Sequence, residues 1–184
     1  MISRTCLLSA LLLAAAPARA DDAALARLKA DLAGRESATQ VLTRWCGDLH
    51  LAAPAHIRAV RVHRDRPAAP WVRRALHAGH DEQLRYRRVQ LMCGAHTLSE
   101  ADNWYRPARL TARMNHVLDT TDQSFGAVVK PLNFHRRTIS RVENADAKTP
   151  LRLTAVLETP DGAPFSLVVE NYRPILVNPP DHSR

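Results

Sequence analysis

The sequence is poor in lysine, aromatics and glycine, and it lacks the short motifs of the common catalytic centres. Three lysines, Lys29, Lys130 and Lys148, stand among 26 basic residues, so nearly all the positive charge is arginine. A guanidinium bias suits anion recognition, although a GC-rich genome is the plainer source of most of it. Phe, Trp and Tyr together number nine, and no nucleic-acid-binding module is recognisable despite a formal net charge of +8. Binders of nucleic acid carry a recognisable module or interleave basic residues with exposed aromatics, so no nucleic-acid partner is expected. There is no His-Glu-x-x-His, no Gly-x-Ser-x-Gly and no glycine loop that would cradle a phosphate. His77 and His80 could share a helix face, but Gly79 between them ends that helix. Neither a metal nor an organic cofactor is expected.

Long apolar runs are also scarce. The only marked one is at the start, where Met1-Ile2-Ser3-Arg4 precedes a leucine- and alanine-rich stretch from Cys6 to Ala16, followed by Pro17-Ala18-Arg19-Ala20. A short basic region, an apolar core too short for a bilayer of about 30 Å and a small-x-small end make a secretory leader. Cleavage after Ala20 is expected, leaving residues 21–184 as one domain in the periplasm or outside the cell. With Arg4 and Arg19 removed, the formal charge falls from +8 to +6. Nothing later would hold the mature chain in a membrane, and a monomer is expected. Two cysteines remain, Cys46 and Cys93. In an oxidising compartment they suggest a disulfide; two buried thiols or a catalytic thiol are the alternatives.

Apolar spacing places helices first and strands last. Asp21 or Asp22 can cap a helix carrying Leu25, Leu28 and Leu32 and ending at Gly34; Ser37 can cap a second carrying Val41, Leu42, Trp45 and Leu49. Strands are expected over residues 57–64, 84–93, 97–105 and 134–142, with short helices from Trp71 and after Thr111. Residues 151–158 and 165–172 alternate on either side of Thr159-Pro160-Asp161-Gly162, a hairpin. The fold class is α+β, with a mainly antiparallel sheet flanked by helices. Along 84–93, period two puts Tyr86, Arg88, Gln90 and Met92 on one face, and Arg87, Val89, Leu91 and Cys93 on the other.

Four segments stand in succession: Arg88-Val-Gln-Leu-Met-Cys-Gly94, Leu98-Ser-Glu-Ala-Asp-Asn-Trp-Tyr-Arg-Pro107, Gln123-Ser-Phe-Gly126 and Val169-Glu-Asn-Tyr-Arg-Pro174. This order resembles the chorismate lyase family, the chorismate–pyruvate lyases that form 4-hydroxybenzoate. The resemblance covers roughly residues 84–176 and implies a chorismate lyase-like fold. It implies that Arg88 grips the substrate carboxylate and that Phe125 and Gly126 line the pocket. Glu170 closes the pocket as acid/base or hydrogen-bond partner. Asn103 stands where the family carries a second arginine, with Arg106 nearby, and one cation fewer weakens the hold on a dicarboxylate.

Expected catalytic residues are therefore Glu170 and Arg88, with Arg88, Phe125, Gly126, Asn103 and Glu170 binding the ligand. A strand interior is a costly place for a charge unless it is paired or used. The plainer alternative is that Arg88 and Glu170 pair with each other or face solvent. Two functions follow from one pocket. One is elimination of pyruvate from chorismate, in which the protein mainly orients the substrate. The other is an exported module that binds a small carboxylate without turnover. The fold also resembles the sensor domains of a class of transcription regulators, whose DNA-binding helices are not legible here.

Overall fold

The computed structural model describes residues 20–34 and 37–180. The leader expected over residues 1–20 lies, apart from Ala20, outside them. Six strands form a single antiparallel sheet: β1 (Ile57–Val62), β2 (Arg85–Cys93), β3 (His96–Tyr105), β4 (His135–Asp146), β5 (Thr149–Glu158) and β6 (Pro164–Tyr172). Their order across the sheet is β1-β2-β3-β6-β5-β4. Five α-helices accompany them: α1 (Ala20–Leu32), α2 (Ala38–Asp48), α3 (Pro70–Ala75), α4 (Ala112–Thr120) and α5 (Phe125–Val129). Among the described residues no helix is long and apolar enough to cross a membrane.

Side-chain alternation decides what each face packs against. On one face, Leu28 and Leu32 of α1 and Val41, Leu42 and Trp45 of α2 meet Val89, Leu91, Ala101, Leu151, Leu153 and Val168 of the sheet. Further along, Met114, Leu118, Val128 and Val129 from α4 and α5 pack with Tyr105, Leu157 and Phe165. These clusters are separate, and a cavity lies between them. A smaller cluster of Val72, Leu76, Trp104, Val156 and Leu167 seats α3 on the opposite face. Burial on this scale supplies about 25 cal/mol per Å² of apolar surface.

Local chemistry sets the helix starts. The Ser37 side chain accepts from the Gln40 backbone N–H, and the Gln40 side chain accepts in turn from the Ser37 N–H, forming a capping box at α2. The Thr111 side chain accepts from the Met114 N–H at α4, and the Ser124 side chain from the Ala127 N–H at α5, each a cap without the reciprocal half. Replacing Ser37 with alanine should cost about 1 kcal/mol of stability in a denaturant melt. Trp45 donates from Nε1 to Asp31 at 2.7 Å, tying α2 to α1. Cys46 of α2 and Cys93 at the end of β2 are joined by a disulfide, both fully buried, with Cα atoms 5.9 Å apart.

Elements and expectations differ at two places. The strand expected to end near Val142 runs on to Asp146, because β4 keeps pairing with β5 through two irregularities, at Thr138–Ser140 and Glu143–Asp146. Residues 125–129, given no element from the sequence, form the short helix α5, where the Ser124 side chain accepts from the Ala127 N–H.

Candidate functional site

The cavity is about 830 Å³, within the range of small-molecule pockets. Its floor is the inner face of the sheet: Arg87, Val89 and Leu91 of β2, Ala101 and Asn103 of β3, Leu157 of β5, Val168 and Glu170 of β6. Its walls are residues 37–40 at the start of α2 and residues 124–127 at the start of α5. The walls come close at one point, where a Cβ on Gly126 would stand 3.7 Å from the Ser37 Cβ, an ordinary contact. Phe125 and Phe134 add aromatic surface; Phe125 packs on Tyr105 and Phe165 with ring centres 5.2 and 6.4 Å away.

Asn103, Phe125, Gly126 and Glu170 all line this cavity. Arg88 does not, and the expectation that it shares a hollow with Glu170 is corrected. It points to the opposite face, where Nη1 donates to Asp102 at 3.0 Å and Nη2 to Glu100 at 2.6 Å. Tyr86 donates to Asp102 as well, and Arg173 pairs with Glu100 at 2.5 Å. Arg88 thus belongs to a ladder of alternating charges across β2, β3 and the end of β6. Arg106 is also elsewhere, paired with Glu82 at 2.7 Å.

Two arginines line the cavity: Arg136, which pairs with Glu170, and Arg87, one residue earlier than Arg88. Arg87 is 3% exposed. Nη2 donates to the carbonyl oxygens of Gln123 at 3.0 Å and Thr121 at 3.3 Å, while Nε and Nη1 have no partner. Burial, and then the charge of Arg61, pull its guanidinium below the usual arginine value, without discharging it. No carboxylate among the described residues forms an ion pair with it. An unmet buried donor costs about 1–3 kcal/mol, more when charged, so this is a costly arrangement unless something else uses it. The sequence carried a signal for it: Arg87 shares its strand face with Val89, Leu91 and Cys93.

Asn103 is the cross-strand partner of Arg87, which places the two side chains about 5 Å apart on one face. The buried Ser166 hydroxyl donates to the Asn103 Oδ1 at 2.6 Å. At the other end of the floor, Glu170 accepts at Oε2 from Arg136 Nη2 at 2.5 Å and from the Tyr172 hydroxyl at 3.0 Å. Burial pushes the Tyr172 phenol well above its usual value, which keeps it a donor. Burial works against the Arg136 charge, but Glu170 and Tyr172 outweigh it and raise its pKa. Arg136 Nε has no partner. Sequence reading missed Arg136, because β4 is an edge strand of mixed pattern in which no position stands out. Strand spacing puts the Arg87 and Glu170 Cα atoms roughly 12 Å apart, room for a ring-bearing acid to lie between the side chains.

Three carboxylates away from the floor tie the framework to pH. Hydrogen bonds from Arg106 to Glu82 and from Arg137 to Glu158 hold both below the usual carboxylate range. Burial alone would raise Glu100, but bonds from Gln90 and Arg173 prevail and lower it too. A lowered folded value means stability that is present above the ordinary 4.5 and lost as pH falls through the folded values. Melting temperature should therefore hold above pH 5 and drop progressively below about 4.5.

Among the described residues no group of His, Cys, Asp and Glu is placed to hold a metal. The arrangement offers binding by one buried cation, an amide and an ion-paired carboxylate in an apolar chamber.

No family model matches the chain. Full-length PhnF from Mycobacterium smegmatis matches in structure with a TM-score of 0.55 at 15% identity, over 76% of this chain and 64% of that one. The chain thus spans less than two thirds of PhnF. The effector domain of PhnF alone matches with the same TM-score at 14% identity, over 76% of this chain and 90% of that domain. A weaker match is described as the ligand-binding domain of a GntR-family transcriptional regulator from Bordetella bronchiseptica, with a TM-score of 0.48, 15% identity and coverage of 64% and 82%. Some of the matching structures are described as transcriptional regulators, and the expectation that nucleic acid has no part is withdrawn. Composition weighed only the charge and aromatics of this chain, and was blind to the larger proteins in which such a domain is built. In sequence, the chain is 43% identical over 175 residues to the uncharacterized protein y4mC of Sinorhizobium fredii, covering 82% of this chain and 73% of that protein. The chain belongs to the y4mC family and has an α+β, chorismate lyase-like fold.

Proposed function

We propose that this protein binds a small organic acid in the cavity between α2, α5 and the sheet, with Arg87 gripping the acid group. One observation carries the reading: an arginine 3% exposed, on the cavity floor, with two of its three guanidinium nitrogens unpartnered. The apolar floor and the phenylalanine walls favour a ring as the body of the ligand. Asn103 adds an amide donor beside Arg87, and Glu170 offers an acceptor for a hydroxyl at the far end. The effector domain of PhnF, which has this fold, supports a binding rather than a scaffolding role.

The test is a thermal-shift screen with benzoate, 4-hydroxybenzoate and aliphatic monocarboxylates. A ligand present at a hundredfold its Kd should add about 2.7 kcal/mol of stability. If no acid raises the melting temperature at millimolar concentration, the reading fails.

Turnover is a second reading, favoured by Glu170 standing in the same cavity as Arg87. Elimination of pyruvate from chorismate would need Glu170 near the ether or the ring hydroxyl. Incubation of micromolar protein with chorismate decides it, since absence of 4-hydroxybenzoate removes the lyase reading and leaves binding intact.

We also infer that the protein works outside the cytoplasm. The pattern of residues 1–20 and the disulfide between Cys46 and Cys93 support this. Mass spectrometry of the protein from an intact host should find Asp21 as the first residue; a full-length cytoplasmic chain would contradict export.

A further inference from the structure

The charges around the cavity do not balance, and the imbalance specifies the ligand. Glu170 is neutralised by Arg136 at 2.5 Å. Lys130 lies at the exposed rim, where water screens it. That leaves Arg87 as the single buried charge without a counter-ion among the described residues lining the chamber. Beside it stands a neutral group. Ser166 donates to the Asn103 Oδ1 at 2.6 Å, and among the described residues nothing takes the amide nitrogen. With its oxygen occupied, Asn103 offers the chamber N–H donors and no charge.

Resting on the acid-binding reading above, we propose that the site selects a singly charged acid and rejects doubly charged ones. Asn103 is the specificity-determining residue, and Ser166 is the positioning residue that fixes its amide. One guanidinium and one amide match one carboxylate: the cation neutralises the charge, and the amide satisfies a further lone pair. A second carboxylate would find the other buried cation, Arg136, already paired with Glu170, and Lys130 only at the exposed rim. A buried charge is tolerated only when it is paired. Dicarboxylates, chorismate among them, and phosphate monoesters are thereby excluded, which follows the binding reading and stands against turnover of chorismate.

Shape and charge can be separated with three probes: benzoate, terephthalate and monomethyl terephthalate. The last two share a skeleton and differ by one charge, the ester being the longer by a methyl group. Calorimetric titration at pH 7.5 should show benzoate and monomethyl terephthalate binding, with terephthalate at least about thirtyfold weaker. Asn103→Asp, nearly isosteric, should turn the preference from benzoate to neutral benzamide. Ser166→Ala should weaken benzoate several-fold while leaving benzamide unchanged. Circular dichroism checks that both variants fold. Terephthalate binding as tightly as its monomethyl ester overturns the charge selection and leaves the acid reading standing. An Asn103→Asp protein that still prefers benzoate overturns the role of Asn103. Binding of none of the acids to the wild-type protein removes the acid reading, and the inference with it.

Discussion

Arg87→Met is expected to abolish acid binding while leaving the empty domain as stable as the wild type, or more so. Loss of a charge-assisted contact in a dry pocket should lower affinity by about a hundredfold or more, corresponding to about 3 kcal/mol. The cost to the fold runs the other way. Arg87 keeps a buried charge with Nε and Nη1 unpartnered, and replacing such a group with an apolar one of similar size is often neutral or stabilising. The carbonyls of Thr121 and Gln123 lose a donor, which limits the gain to about 1 kcal/mol. Arg88→Met should behave in the opposite manner. It touches no ligand, so binding persists. It strips Asp102 and Glu100 of a shared partner and should destabilise by roughly 2–4 kcal/mol. Isothermal titration and urea melts on the two variants separate a binding arginine from a framework arginine at adjacent positions.

Removal of the disulfide should cost about as much as any single substitution in the core. Cys46 and Cys93 are 47 residues apart, and releasing a loop of that length restores unfolded-state entropy of about 4 kcal/mol. The cross-link also joins α2 to the end of β2, and residues 37–40 of α2 are a cavity wall. The Cys46→Ser/Cys93→Ser protein should therefore unfold at much lower urea, and its affinity for a bound acid should fall as that wall loosens. Both sulfurs belong to fully buried residues, so a mild reductant should act slowly on the native protein and quickly once it is partly denatured.

The succession of strands along the chain, the closing hairpin and the caps of α2 and α4 were legible in the sequence because each is fixed by local chemistry. Ser37 and Thr111 announce helix starts, and Thr159-Pro160-Asp161-Gly162 announces a turn. The site was half legible. Glu170 and Asn103 stand on strands whose alternation is clear, and both line the cavity. The arginine was misplaced by one residue. A strand has period two, so a shift of one reverses the face; the short Arg-x-x-Leu-x-Cys pattern selected Arg88 over its neighbour. Alternation alone favoured Arg87, an arginine on the side of Val89, Leu91 and Cys93. What no local pattern reveals is which strands become neighbours. The pairing of β3 with β6, which brings Asn103 to Ser166 and opens the floor toward Glu170, joins segments more than sixty residues apart. The role of Arg136 depends on the same long-range placement of β4.

Nitrogen-resolved NMR of the arginine Nε–H groups, recorded as 4-hydroxybenzoate is titrated in, tests the central claim most directly. The Arg87 Nε–H resonance should move downfield and exchange more slowly with water as the acid binds, while that of Arg88 stays put. A bound acid that leaves Arg87 unchanged, or that shifts Arg88 in its place, would contradict the assignment of the cavity floor as the binding site.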